Sequence, residues 1–141
     1  MKNKLLTVSL IIIVCITLLG GVALVLAMQL KNGDDVKEPT IDDIIESSVD
    51  VEEITTNLGN RQFIRITLKI QTDNKKAAEE LAKRDFQVKN IVIQELSEMT
   101  AKDLEGKAGK QAFEDALKSH LNPLMQNGDV EKVYIVSYII Q

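Results

Sequence analysis

Charge is missing from one long stretch of this 141-residue chain: no acidic or basic residue occurs between Lys4 and Lys31. Cysteine and histidine are nearly missing as well, with one of each, Cys15 and His120. A lone thiol excludes an internal disulfide, so a folded part of the chain must rest on its own core. One histidine, with the only cysteine far away in the apolar stretch, excludes the paired-ligand spacings of zinc sites. A basic patch is absent too: from residue 54 onward 13 basic residues face 12 acidic ones, which gives a nucleic-acid partner nothing to hold. The length admits one domain of roughly 100 residues beside a membrane segment, and excludes two cores.

The uncharged stretch is apolar from Leu5 to Met28, broken only by Thr7, Ser9, Thr17, Gly20 and Gly21. As a helix it would span about 36 Å at ~1.5 Å per residue, enough to cross a hydrocarbon core of ~30 Å with slight tilt. The hydroxyls fit, because serine and threonine in a helix bond the carbonyl one turn back. A cleaved signal peptide is the competing reading, with Val25, Leu26 and Ala27 as the cleavage region. Its apolar core would be far longer than the ~7–15 residues usual there, so residues 5–29 read as an uncleaved anchor. Lipidation at Cys15 is disfavoured by the bulky Ile13 and Val14 before it and by the apolar sequence after it. Lys2, Lys4 and the terminal amine precede the helix without an acid, which predicts residues 1–4 in the cytoplasm and the C-terminal part outside.

Residues 31 to 53 carry two lysines against nine acids, a net of −7. Residues 30–48 therefore read as an acidic membrane-proximal stalk, opened by the turn-forming Asn32-Gly33-Asp34 and holding a short helix at Ile41, Ile44 and Ile45 started by Thr40. The domain proper is expected over residues 49–141. Val49 to Leu58 reads as a strand, Gly59-Asn60 as a hairpin signal, and Arg61 to Gln71 as a half-buried strand with Ile64, Ile66, Leu68 and Ile70 on one face. Helical spacing follows at Ala77, Ala78, Leu81 and Ala82 and at Val88, Ile91, Val92 and Leu96, with one helix or two left open over 74–99. Thr100 with Asp103 predicts a capped turn, Gly106 and Gly109 a helix-start loop, and Ala112 to Leu121 a last helix that Pro123 limits. Val130 to Ile140 is apolar on both faces, which predicts a central strand. The sum is an α+β domain, a small sheet with helices packed on one face.

Chemistry is hard to find in this pattern. His120 reads as a helix-surface residue, and Gly106-Lys107-Ala108-Gly109-Lys110 is too short between its glycines for a phosphate loop, with Gln111 where a magnesium-binding hydroxyl is needed. The acid pairs Asp34-Asp35, Asp42-Asp43 and Glu52-Glu53 lack the spacing of a calcium loop and read as solvated charge. No catalytic, cofactor-binding or metal-binding residue emerges. In the apolar helix the small residues Thr17, Gly20 and Gly21 would let a neighbouring helix approach closely, and mark a candidate packing face.

The order of smaller features points further. An anchor with an acidic stalk is followed by Thr56-Asn57-Leu58, Phe63-Ile64-Arg65-Ile66, Val88 to Ser97, Gly109-Lys110, Leu121-Asn122, and Val133-Tyr134-Ile135 leading to Ile139-Ile140-Gln141. In that order, over essentially the whole chain, the sequence resembles the flagellar basal body-associated FliL family. The resemblance implies a single-pass membrane protein of the flagellar motor, without enzyme activity or cofactor, whose outer domain is similar to the stomatin-type fold. Its implied partners are the motor stator and basal-body proteins, further copies of itself in a ring, and the lipid bilayer, with no small-molecule substrate. Its implied role is to support torque, rotation, motility, swarming and chemotaxis. The alternative is an extracytoplasmic sensor or accessory domain of another membrane complex; a sensor should carry a pocket with a few convergent polar groups and should be followed by a signalling module or a second span, neither of which is expected after Gln141.

Overall fold

The computed structural model describes residues 2–31 and 37–141, so the turn expected at Asn32-Gly33-Asp34 lies outside the described residues. The chain forms two compact units, Met1–Glu38 and Pro39–Gln141. Among the described residues the first contains one helix, α1 (Lys2–Lys31). It is long and apolar enough to cross a membrane, and none of its apolar window is buried against protein. Its hydroxyls turn inward as the sequence requires: Thr7 Oγ1 donates to the Asn3 carbonyl at 2.7 Å, Ser9 Oγ to Leu6 at 2.9 Å, and Thr17 Oγ1 to Ile13 and Val14 at 3.0 and 2.9 Å. Each polar group is thereby satisfied within the helix.

The second unit opens with α2 (Ile41–Glu46), started by Thr40 and Asp43 acting reciprocally. The Asp43 N–H donates to Thr40 Oγ1 at 3.3 Å, and the Thr40 N–H to Asp43 Oδ2 at 2.9 Å. Strands β1 (Ser48–Asn57) and β2 (Phe63–Thr72) form a hairpin, and β3 (Val130–Ile140) pairs with the other side of β2, all antiparallel. Between β2 and β3 run α3 (Lys75–Lys83), α4 (Asp85–Glu98) and α5 (Gly106–Leu121), the last followed by a 3₁₀ turn, Asn122–Leu124, that contains Pro123. The result is α+β, with a three-stranded sheet.

The core follows from the alternation in β2. Ile64, Ile66, Leu68 and Ile70 are buried and pack with Leu81 of α3, Val88, Val92 and Leu96 of α4, and Phe113, Leu117 and Leu121 of α5. Helices cover that face, while Arg65, Thr67 and Lys69 occupy the opposite one, where they remain partly or fully exposed. A sheet covered on one side only carries its hydrophobic pattern on alternate residues.

Three expectations are corrected. β3 is an edge strand, and β2 is central. The apolar residues of β3 divide: Val130 and Val133 are buried, whereas Val136 and Ile139 are 62% and 54% exposed. The register shift between Thr67 and Leu68 leaves Val136 as an extra residue in β3, so its apolar side chains do not all face the core. The hairpin loop is longer than a two-residue turn, and its left-handed residue is Arg61 (φ 70°), not Gly59 or Asn60. Gly59 instead permits a close approach: its N–H donates to the Met99 carbonyl at 2.8 Å, and a Cβ there would lie 2.9 Å from the Ser97 carbonyl. Gly106 and Gly109 belong to α5 itself rather than to a loop before it. The question left open over 74–99 is answered by two helices, which part at Arg84.

Candidate interaction surfaces

Several charged side chains of the second unit pair locally. Lys69 Nζ meets Asp50 Oδ1 at 2.7 Å across the β1–β2 pair, and Arg65 approaches Glu53 at 3.4 Å on the same sheet face. Lys89 of α4 joins Asp85 (2.9 Å) to Glu52 (3.4 Å), and hydrogen bonding to Asp85 raises its pKa. The Thr100–Asp103 cap forms as expected, with the Thr100 N–H and Oγ1 both 2.7 Å from Asp103 Oδ2, and it lowers the Asp103 pKa. Asp43 thus serves a helix cap and Glu52 and Glu53 serve ion pairs, while the pair Asp34-Asp35 lies outside the described residues. Among the described residues no three histidine, cysteine, aspartate or glutamate side chains gather as metal ligands.

His120 lies exposed on α5, with Nδ1 3.3 Å from Glu95 Oε2 of α4. Lys107 and Lys110 project from the first turns of a regular helix, and Lys110 Nζ sits 5.1 Å from the centre of the Tyr138 ring. On α1, Gly20 and Gly21 open onto free space, one turn after Thr17. Those three positions share a helix face by spacing.

Sequence reasoning missed one polar cluster. Glu80 of α3 accepts from Arg84 Nε and Nη2 at 2.9 and 2.7 Å, from the N–H groups of Gln126 and Asn127, and from Asn127 Nδ2 at 2.9 Å. Removal from water pushes the Glu80 pKa up, but the bonds from Arg84, Asn127 and the backbone of Gln126 and Asn127 outweigh it and hold the carboxyl at about 2. The Glu80–Arg84 spacing was the only sequence signal; the loop partners lie more than forty residues on. A second arrangement ties the start of β3: Asn122 Oδ1 accepts from the Val130 N–H at 2.7 Å, and Asn122 Nδ2 donates to the Val130 carbonyl at 3.3 Å.

What remains free is surface. On the uncovered sheet face Phe63 and Ile139 are 58% and 54% exposed, beside Val136 at the shifted position of β3. At the start of α4 Phe86 is exposed, bordering an open depression with Lys76, Lys83 and Arg84. Exposed apolar side chains of this kind are the usual material of contact surfaces, and here they lie on an α+β domain joined in sequence to a helix of membrane-crossing length and composition.

Comparison with known proteins supplies the particular. Residues 48–141 match the family described as flagellar basal body-associated protein FliL. The chain is 46% identical over 121 residues to the flagellar protein FliL of Bacillus subtilis (strain 168), covering 86% of each. It is 20% identical over 79 residues to the flagellar protein FliL of Aquifex aeolicus (strain VF5), covering 56% of this chain and 49% of that one. The chain belongs to the FliL family of flagellar basal body-associated proteins. The region matched by the family begins at the first residue of β1 and so covers the sheet and the helices over it.

Proposed function

We propose that this protein is a single-pass membrane component of the flagellar basal body that associates with the motor stator and supports torque without chemistry of its own. The observation that carries the reading is the 46% identity to a named flagellar protein over 86% of both chains. Support comes from the helix of membrane-crossing length and from the exposed apolar side chains Phe63, Val136 and Ile139 on the domain. In this reading Lys2 and Lys4 hold the N-terminus in the cytoplasm, and residues 39–141 act outside as a domain of stomatin type that assembles with further copies around the stator. Confinement to the membrane surface raises its effective concentration toward partners that also live there. Thr17, Gly20 and Gly21 offer the face on which α1 packs against a neighbouring helix.

Torque measured on bead-loaded motors tests the proposal. A deletion strain should build filaments and rotate them with reduced torque, most visibly at high viscous load. Leucine at both Gly20 and Gly21 should reproduce part of that loss with insertion intact. Normal torque at every load, with no crosslink to stator components in wild-type cells, would leave the sensor or accessory reading in its place.

A further inference from the structure

The two free edges of the sheet differ in how they are protected. Along β1, Asp50, Glu52 and Glu53 combine with a register irregularity between Val51 and Ile54, and charge and bulges are what keep an edge from pairing with another strand. The first half of β3 is guarded likewise. Glu131 and Lys132 are charged, Val136 interrupts the register, and Glu114 of α5 places Oε1 3.0 Å from the Ile135 N–H.

From Ser137 to Ile140 these devices stop. The segment carries no charge and no register shift, and its residues are serine, an aromatic and two β-branched side chains. Phe63 and Gln141 exchange both backbone hydrogen bonds at 2.9 Å. In an antiparallel pair such positions alternate, so Ile139 and Ser137 also face β2, while the N–H and C=O groups of Tyr138 and Ile140 point to the open edge. Among the described residues, no turn, cap or side-chain hydrogen bond reaches those groups. The basic group nearest this segment is Lys110 of α5, which sits over Tyr138, with Lys107 in the first turn and the acids Glu105 and Glu114 at the cap and one turn beyond.

We propose that Ser137–Ile140 is a strand-addition site for an extended, acidic segment of a partner protein. The segment's backbone pairs with Tyr138 and Ile140, and its carboxylates meet Lys110. A second copy of this chain fits poorly. Its own β3 would bring another Lys110 to the same place, and its β1 is bulged at Glu52 and Glu53. The site stands independently of whether the partner belongs to the motor.

Amide NMR of the full chain in detergent micelles, titrated to ~1 mM with two synthetic octapeptides, decides the matter. Both peptides share a valine–threonine frame, with two glutamates in one and two lysines in the other. The glutamate peptide should shift the amides of Tyr138 and Ile140 and bind at least about tenfold tighter than the lysine peptide, a difference of ~1.4 kcal/mol. Lys110→Glu should reverse that order. Ile140→Pro should abolish binding, because it deletes an outward N–H and leaves the bonds to β2 in place; unchanged signals from Ile64 and Ile66 would show the sheet intact. The proposal is overturned if neither peptide binds, if shifts fall elsewhere, if the intact-sheet proline variant binds equally, or if these amides respond to protein concentration without peptide.

Discussion

Replacing Asn122 with leucine keeps the shape of the side chain and removes both of its polar atoms. In the native chain those atoms satisfy both backbone polar groups of Val130, accepting from its N–H at 2.7 Å and donating to its carbonyl at 3.3 Å. Val130 is fully buried, so its N–H would be left without a partner, at about 1–3 kcal/mol; the longer bond to its carbonyl adds about 0.5–1.5. Asn122 itself is only half-buried, and water entering there recovers part of the loss, which places the expected destabilisation at about 1.5–3 kcal/mol. Against a total of ~5–15 kcal/mol this is large. With a urea slope of ~1–3 kcal/mol per molar, the midpoint should fall by about 1 M. Hydrogen exchange should also accelerate first at the start of β3. Asn122→Asp divides the two bonds, since it keeps the acceptor for the Val130 N–H but sets a carboxylate oxygen against the carbonyl, and its midpoint should lie between wild type and leucine. A leucine variant within 0.5 kcal/mol of wild type, with unchanged exchange at Val130, would refute the claim that this side chain pins the strand.

Glu80 makes a pH prediction whose sign is fixed by its depressed pKa: the folded value of about 2 lies below the ordinary 4.5, so its stabilisation is present above about pH 4.5 and is lost as pH falls toward 2. Melting temperature followed across that window should fall less steeply in Glu80→Gln than in wild type. Gly109→Ala should destabilise the second unit by about 1–3 kcal/mol, because a Cβ would run into the Asp103 carbonyl, and thermal melts will show whether that turn gives way instead. In a Cys15→Ser background, Asn127→Cys should react with a membrane-impermeant thiol reagent in intact cells; labelling only after lysis would reverse the orientation.

The sequence shows some of this architecture directly, and the reasons are physical. Alternation at Ile64, Ile66, Leu68 and Ile70 is readable because one covered face imposes a period of two. The Thr40 and Thr100 caps are readable because each bond closes within three residues. The break at Arg84 is not, since Leu81, Val88, Val92 and Leu96 keep helical spacing straight through it. β3 misleads for a different reason: hydrophobicity records what a side chain would prefer to touch, and Val136 and Ile139 touch little within the chain. Glu80 shows only its local arginine, because Gln126 and Asn127 reach it by the path of the fold. On surfaces the sequence yields residue types and spacing, whereas the unguarded end of β3 becomes visible only with the register.

Because helices cover a single face of the sheet, β2 separates two kinds of information onto alternate residues. Its even-numbered positions from Ile64 to Ile70 determine whether the domain holds together; its odd-numbered positions Arg65, Thr67 and Lys69 determine what the domain presents. Substitutions at the odd positions can rewrite recognition while the interior stays the same. A protein of this build can follow a changing partner residue by residue without having to refold around each change.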